Sequence, residues 1–548
     1  VTSKAECELV APFFDAEYYA QSNQAVLASG VDPLAHFMSR GWREGRDPSA
    51  EFSLVYYLRM REDIAAAGVN PLLHYAMAGR AEGLATRRGM DAERRLIESA
   101  RAPSDRGRDW AAGGDRGPAC DASTLRQRLA DALDGRAGLV VSISHDDVEA
   151  NVGGLQNVVG EERLAFERLG YVYLHLSPAL PLPTLAPKPT KHPFHYVVRA
   201  GRERLGLAES LDLTAILRDL RDSGVGLFVI VHQLLGNAPE IVADIAKLST
   251  IPVVAWAHDY FTICSNFNLL SNDVRFCGAP PTNSGACGIC VYGADRLAER
   301  PRVQLFFSQI RPRIIAPSDV TLAFWLAHAE LSHSGAAVQP LARLILGPAT
   351  THGYGQPGRS LRIAHLGHQS FPKGWPVFER LAARFGSDPR YDFFHLGQRT
   401  RFTGKIRHIP VRVTRDAPDA MLEKVAELAI DVVVNWAPWP ETFCYAAHEA
   451  IAGGAFLLTC RAAGHVPRII ADYVPEQGLV LDNEQALLDL FEDQGLRAVL
   501  DRATRRRGLL LPQGGTADWL VRSKHGDSQL RAPDFSQDKF ALEAPGRG

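Results

Sequence analysis

From residue 138 onward, apolar runs of strand length alternate with amphipathic helical patterns, and the series is played out twice. A continuous apolar run such as GLVVSIS at 138–144 has no polar side, so the strand it forms must be covered on both faces. Helices between successive runs supply that cover, and the product is a parallel sheet. In the first series, runs at 171–176, 226–231, 252–257 and 314–317 follow, with helical patterns at 239–248 and 320–330. The second series restarts near Leu361, with runs at 362–366, 391–396, 406–410, 431–435 and 455–459 and helices at 376–385, 418–428 and 445–452. A stretch bearing Gly and Pro at 348–358 joins them. We therefore expect an α/β protein with two Rossmann-like domains, 123–350 and 351–500. In such sheets ligands bind beyond the carboxyl ends of the strands, so the natural site is the cleft between the halves.

The first 88 residues differ in style. At an offset of 38, Phe14, Tyr18, Tyr19, Gly30, Pro33, Leu34, His36, Gly41, Glu44 and Gly45 meet Phe52, Tyr56, Tyr57, Gly68, Pro71, Leu72, His74, Gly79, Glu82 and Gly83. A fixed period means one supersecondary unit used twice. Each unit reads as a helix carrying Tyr-Tyr, a small-residue turn, and a Pro-Leu-x-His helix closed by glycine. Pro33 and Pro71 suit a first helical turn, and Gly41 and Gly79 suit C-caps. His36 and His74 stand beside Phe37 and Tyr75, which favours packing or capping over metal ligation. We expect a small all-α repeat module without chemistry of its own that spaces the chain or binds a protein partner. Residues 89–122, mixed in charge and holding Gly113-Gly114, read as a linker.

Composition removes several function classes. The 548 residues carry 60 Lys+Arg against 62 Asp+Glu, a formal net charge of -2. That balance lacks the basic footprint of a dedicated nucleic-acid binder. No apolar run approaches the roughly 18 residues of a membrane span. The first residues hold no signal-peptide apolar stretch, so a cytoplasmic location is expected. The basic run at 502–507 reads as a solvated helix end. Leu509–Leu511 beside it is a point for peripheral contact with the inner face of a membrane. Residues 501–548 read as a polar tail that crosses back to the first half.

Eight cysteines are too few for a disulfide scaffold. Four of them, Cys264, Cys277, Cys287 and Cys290, fall within 27 residues. One Cys-x2-Cys knuckle with two further thiolates suits a four-coordinate structural zinc site, since a catalytic zinc needs an open position. Two disulfides or unligated thiols remain the alternatives.

Four further motifs carry chemistry. In PETFCYAAHEA, Glu441 and Glu449 lie eight residues apart, one before a helix and one inside it, among Trp436, Trp439, Phe443 and Tyr445. Buried carboxylates need partners, and vicinal hydroxyls of a polar ligand would serve. In GHQSFPKG, residues 367–374, a strand leads into a helix whose N-terminal amides make an anion site, and Lys373 adds positive charge. Asn151-Val152-Gly153-Gly154 follows the first strand of the first half, where paired glycines let the backbone approach a ligand. His258 and Asp259 close the 252–257 strand and can face the cleft, Asp259 orienting His258 or meeting an acceptor. His232 is a weaker candidate at the preceding strand end, and a core role stays open for both histidines.

At these residues the sequence resembles the retaining glycosyltransferases of family 4, which have a GT-B fold: two Rossmann-like domains facing a cleft. The resemblance runs from about residue 139 to 490. It implies transfer of a sugar, with retention, from a nucleotide-diphosphate sugar to a glycan or lipid-linked glycan acceptor, in surface polysaccharide synthesis and without a catalytic metal. By resemblance, Glu449 holds the nucleotide ribose, Glu441 contacts the donor sugar near its reacting carbon, and Lys373 binds the diphosphate. Gly153, Gly154 and Gly367 face the donor phosphates, His258 contacts the donor sugar, and Phe443 and Cys444 belong to the donor site. His368 stands where the family carries Arg, with Arg399 or Arg401 as substitutes, and Cys444 stands where glycine is usual. The four-cysteine stretch resembles an insertion in some members. Two other functions remain open: a nucleotide-sugar epimerase of the same fold, and a non-catalytic carbohydrate- or partner-binding protein.

Overall fold

The computed structural model describes residues 4–23, 30–49, 52–82, 84, 86, 96–97, 99–115, 117–150, 153–189, 193–355, 358–398, 405–492 and 494–524. The chain divides into two compact units, Val1–Arg95 and Leu96–Gly548.

In the first unit the period of 38 appears as matching geometry. The helices Ala16–Ser22 and Leu54–Met60 are capped by Asp15 and Ser53, which accept from the backbone N–H of Tyr18 and Tyr56. The short helices Pro33–His36 and Pro71–His74 are capped by Asp32 and Asn70. Such caps satisfy amides that the helix itself leaves open. Tyr19 Oη lies 2.9 Å from His36 Nδ1, and Tyr57 Oη lies 2.8 Å from His74 Nδ1. The histidines thus tie the two helices of each repeat. Gly41 and Gly79 do not act as the expected left-handed C-caps, since neither has a positive φ. Each sits at the end of a widened turn, Phe37–Gly41 or Tyr75–Gly79. A Cβ there would overlap the tyrosine hydroxyl that reaches the histidine.

The second unit holds two large sheets. In the first, β1 (Gly138–Ile143), β2 (Tyr171–Pro178), β3 (His195–Ala200), β4 (Glu203–Glu209), β5 (Leu227–Val231) and β6 (Val254–Trp256) come first along the chain. β7 (Leu270–Ser271) and β8 (Arg275–Phe276) form a separate antiparallel pair inside the cysteine-bearing stretch. β9 (Arg313–Ala316) and β10 (Gly335–Val338) complete the sheet, in the order β10-β9-β6-β5-β1-β2-β3-β4. All its pairs are parallel except β2 with β3 and β3 with β4. β1 shows why the run at 138–144 carries apolar residues on both faces. Leu139, Val141 and Ile143 belong to one buried cluster, and Val140 to the cluster on the other face.

β11 (Ala342–Ala349) leads out of this half. β12 (Leu361–Leu366), β13 (Tyr391–Gly397), β14 (Ile406–Pro410), β15 (Val432–Asn435), β16 (Phe456–Cys460) and β17 (Gly478–Leu481) form an all-parallel sheet ordered β14-β13-β12-β15-β16-β17. Counted from its own first strand, that is the 3-2-1-4-5-6 order of a doubly wound nucleotide-binding sheet. The architecture is therefore α/β with two Rossmann-like halves, as in GT-B folds.

The basic run near 502–507 is not a solvated helix end. β18 (Arg506–Pro512) pairs antiparallel with β11. The Arg505 guanidinium is buried on the carbonyls of Gly454 and Ile430, and Arg506 pairs with Glu476. The chain then returns to the first half. In the helix Gly515–Lys524, Ala517 and Trp519 join the cluster of Val140, Val158, Val159, Phe166 and Phe228. Exposed apolar side chains remain at Leu509 and Leu511. Among the described residues no helix is long and apolar enough to cross a membrane.

Candidate functional site

The order of strands in the second sheet reverses beside β12, and the loop leaving β12 carries Gly367, His368 and Lys373. A crevice opens at such a reversal, because the flanking connections depart to opposite faces. Gly367 has φ 93° and Gly374 φ 77°, both in the left-handed region. A Cβ on Gly374 would also collide with the Trp436 carbonyl. Trp439 Nε1 donates to the Pro372 carbonyl at 3.0 Å. The loop is thus locked against the 436–445 segment that leaves β15. A one-turn helix, Phe371–Lys373, precedes the long helix Trp375–Phe385, so Lys373 lies just before the helix start rather than within it.

Lys373 Nζ pairs with Glu441 Oε1 at 2.8 Å; the lysine side chain keeps 41% of its exposure and the glutamate 4%. Burial works against the ammonium, but Glu441 outweighs it and raises the Lys373 pKa. Glu441 precedes the helix Tyr445–Ala452, and Glu449 lies within it. Burial, with a lesser contribution from Asp419, raises Glu449 to about 7. No side chain among the described residues donates a hydrogen bond to it, which leaves a carboxyl free to accept from a ligand.

Phe443 and Cys444 are buried. Phe443 stacks on His448 at 4.4 Å, and Cys444 Sγ accepts from Asn435 Nδ2. Phe443 is 3% exposed and Cys444 8%, so neither side chain presents more than a trace of surface. Cys444 adopts φ 63° as the residue that starts the helix. This is the conformation for which glycine would be usual, so the cysteine bears local backbone strain. His368 is exposed. Arg399, Arg401, Asn151 and Val152 lie outside the described residues.

The 440–445 segment reaches the first half directly. Thr442 Oγ1 donates to the His258 carbonyl at 2.7 Å, and the Thr442 carbonyl accepts from Ser318 and Thr321. Tyr260 Oη donates to the Pro440 carbonyl at 3.2 Å. Gly154, which opens the helix Gly154–Arg168, faces the Tyr445 ring, where a Cβ would lie 3.8 Å away. Arg415 donates to the Val148 carbonyl and pairs with Glu149. The structure therefore brings His258, Glu441, Lys373 and Gly154 together around the 440–445 segment.

His258 Nε2 lies 3.1 Å from His232 Nδ1. Burial first, then His232, holds its pKa well below the usual imidazole range. Asp259 does not orient it. Its carboxyl accepts from Gln233 and from the Phe261 N–H, and burial raises it to about 6. The partner of His258 is the weaker sequence candidate, His232. Behind His232 stands Glu162, which sequence reasoning missed: in GEERL it reads as a solvated helix carboxylate.

The four cysteines line one small cavity together with Arg296, whose guanidinium donates to Cys287 Sγ at 2.9 Å. Burial raises the Cys264 thiol to about 12 and also lifts Cys277. Four thiols are the donor set that a structural zinc takes. Among the described residues, however, no three potential ligands converge closely enough to hold a metal as they stand.

No family profile matches the chain, and no curated protein matches it in sequence. Solved structures do match. Sucrose-phosphate synthase from Thermosynechococcus elongatus aligns over 71% of this chain and 98% of its own, at 14% identity and a TM-score of 0.41. Anabaena HepE in complex with UDP-glucose aligns over 71% and 99%, at 10% identity and a TM-score of 0.38. An α,α-trehalose-phosphate synthase from Burkholderia vietnamiensis aligns over 72% and 96%, at 11% identity and a TM-score of 0.38.

Proposed function

We propose that the protein is a glycosyltransferase that takes a sugar from a nucleotide-diphosphate donor held between its two α/β halves. The observation that carries this reading is the Lys373–Glu441 pair, set at the strand-order reversal of the second sheet and linked through Thr442 to His258 of the first. A cation, two carboxyls of different character and a neutral imidazole on one cleft edge match the parts of a donor: diphosphate, sugar and ribose. Lys373 meets the charge that grows on the departing diphosphate oxygen, the kind of preorganised electrostatic contribution that dominates many active sites. The bond from the anomeric carbon to that oxygen breaks through an oxocarbenium-like state. The acceptor hydroxyl oxygen bonds to the carbon from the same face, and its proton passes to the departing phosphate. Glu441 and His258 hold the sugar, and Glu449 accepts from the ribose hydroxyls. Because Lys373 supplies the positive charge, the reaction needs no divalent metal.

The acceptor is a glycan or lipid-linked glycan of surface polysaccharide synthesis, approached at the inner membrane face beside Leu509 and Leu511. We propose in addition that Cys264, Cys277, Cys287 and Cys290 hold a structural zinc. Elemental analysis of gently purified protein should find about one zinc per chain, and none would sink that assignment.

A thermal-shift panel of UDP, GDP, ADP and their sugars tests the main reading, because a bound ligand raises apparent stability. At least one nucleotide sugar should stabilise the wild-type chain, and Lys373→Ala should weaken the matching free diphosphate at least tenfold. A panel without any response refutes the reading. An isomerised sugar formed without acceptor would replace transfer by epimerisation.

A further inference from the structure

Behind His258 and His232, the first half buries a charged group to which sugar transfer gives no task. Glu162 is fully buried in the helix Gly154–Arg168. Its Oε1 accepts from the Tyr173 hydroxyl at 2.8 Å and faces His232 Nε2 at 3.0 Å. Its Oε2 accepts from the Thr516 N–H at 2.7 Å. Burying an ion costs several kcal/mol unless its partners are well placed. Here burial does push the proton affinity up, but His232 and the other donors overcome it, and the pKa is lowered overall. The carboxylate is ionised, so His232 Nε2 carries a hydrogen.

His232 Nδ1 lies 3.1 Å from His258 Nε2, so one hydrogen lies between these two nitrogens. No described group is bonded to His258 Nδ1. Trp256 fixes the plane, stacking on His258 at 4.6 Å with an interplanar angle of 4°. The Trp256 Nε1–H in turn donates to Thr516 Oγ1 at 2.9 Å. Thr516, on the helix that returns from the second half, therefore holds both the carboxylate and the ring on which His258 lies. The other ionisable groups near His232 do not disturb this pattern. His175 is tied to Ser142 and Ser144 and lowered by burial to about 4, and burial lowers His145 as well.

We propose that Glu162 is a positioning residue: by holding the hydrogen of His232 on Nε2 it leaves His232 Nδ1 as an acceptor, makes His258 Nε2 the donor between the rings, and so fixes the tautomer and ring plane of His258, which meets a donor-sugar hydroxyl as a hydrogen-bond acceptor through Nδ1. The sugar hydroxyl rests on the reading above, whereas the tautomer does not. In the full chain labelled with 15N-histidine, long-range 1H–15N spectra report which ring nitrogen of His258 carries the proton, with assignment by His258→Gln. We expect Nε2 protonated and Nδ1 bare in the wild type. Glu162→Gln should mix or invert the two and lower kcat/KM for the nucleotide sugar found in the panel at least tenfold. If Glu162→Gln does not fold, His232→Gln cuts the same link and should mix the tautomers likewise. A protonated Nδ1 in the wild type, or an unchanged His258 tautomer in a folded variant, overturns the proposal. A tautomer shift in a chain that binds no nucleotide sugar would leave the network standing and remove the transferase reading.

Discussion

Lys373→Ala should be more damaging to the fold than Glu441→Gln, although both break the same ion pair. The reason is the difference in exposure, 41% for the lysine side chain and 4% for the glutamate. At 2.8 Å and an effective dielectric constant of about 20, the gross attraction is about 6 kcal/mol before desolvation. Desolvation offsets most of it, and screening at the exposed ammonium discounts it further, so a net coupling of about 1–3 kcal/mol is expected. Without Lys373, Glu441 keeps a charge in a nearly closed site, at a cost of about 2–3 kcal/mol. Without the carboxylate, Lys373 can turn to water, and the loss should stay below about 1 kcal/mol. Hydrogen exchange of the backbone across 431–455 measures the local opening free energy. The two single variants and the double variant complete a cycle that isolates the coupling. Because the folded pKa of Lys373 is raised, its contribution is present below the unfolded value near 10.4 and is lost only as pH rises through the higher folded value. Equal costs for the two single variants, or a coupling below about 0.5 kcal/mol, would refute the reasoning.

Three further outcomes are expected. Burial raises Glu449 to about 7, so folding retains a proton there that the unfolded chain releases near 4.3; the stability this lends is full below 4.3 and lost as pH climbs through about 7. If the carboxylate is what accepts from ribose, UDP affinity should rise by about fivefold between pH 6 and 7, and calorimetry on Glu449→Gln should show a flat profile. Gly41→Ala and Gly79→Ala drive a methyl group into the Tyr19 and Tyr57 hydroxyls, and each should cost the first unit about 1–3 kcal/mol, seen as faster proteolysis within residues 4–82 of the full chain. Thr516→Val strands the buried Trp256 N–H and should destabilise the first half by about 1–3 kcal/mol in urea unfolding, and an unchanged midpoint would contradict the returning helix as part of its core.

The sheets were legible because parallel strands buried on both faces leave an unmistakable trace. Val140 and Val141 point to opposite sides and both lie in apolar clusters, so the run cannot alternate with polar residues. Glu441 and Glu449 were visible for a related reason, as carboxylates among tryptophans, and Lys373 through its glycine-flanked loop. The basic run at 502–507 misled, because charge alone does not tell a solvated arginine from Arg505, whose buried guanidinium serves three carbonyls and lies near Asp431. The glycines of the repeat were marked correctly as special but for the wrong reason. Their lack of a side chain matters to a tyrosine 22 residues earlier in the chain, not to their own φ.

By itself, the sequence determined what local periodicity and residue chemistry can encode: the parallel strands of two sheets, a duplicated helical unit, and which loops carry charge beside glycine. Only the tertiary structure decided which of those groups meet. Glu162 and Thr516 are 354 residues apart and share one hydrogen bond, while His232 and His258 are 26 apart and share another. No spacing rule links them, because the distances between strand ends and a returning helix are set by the order of strands in the sheet. That order arises from packing the whole chain at once.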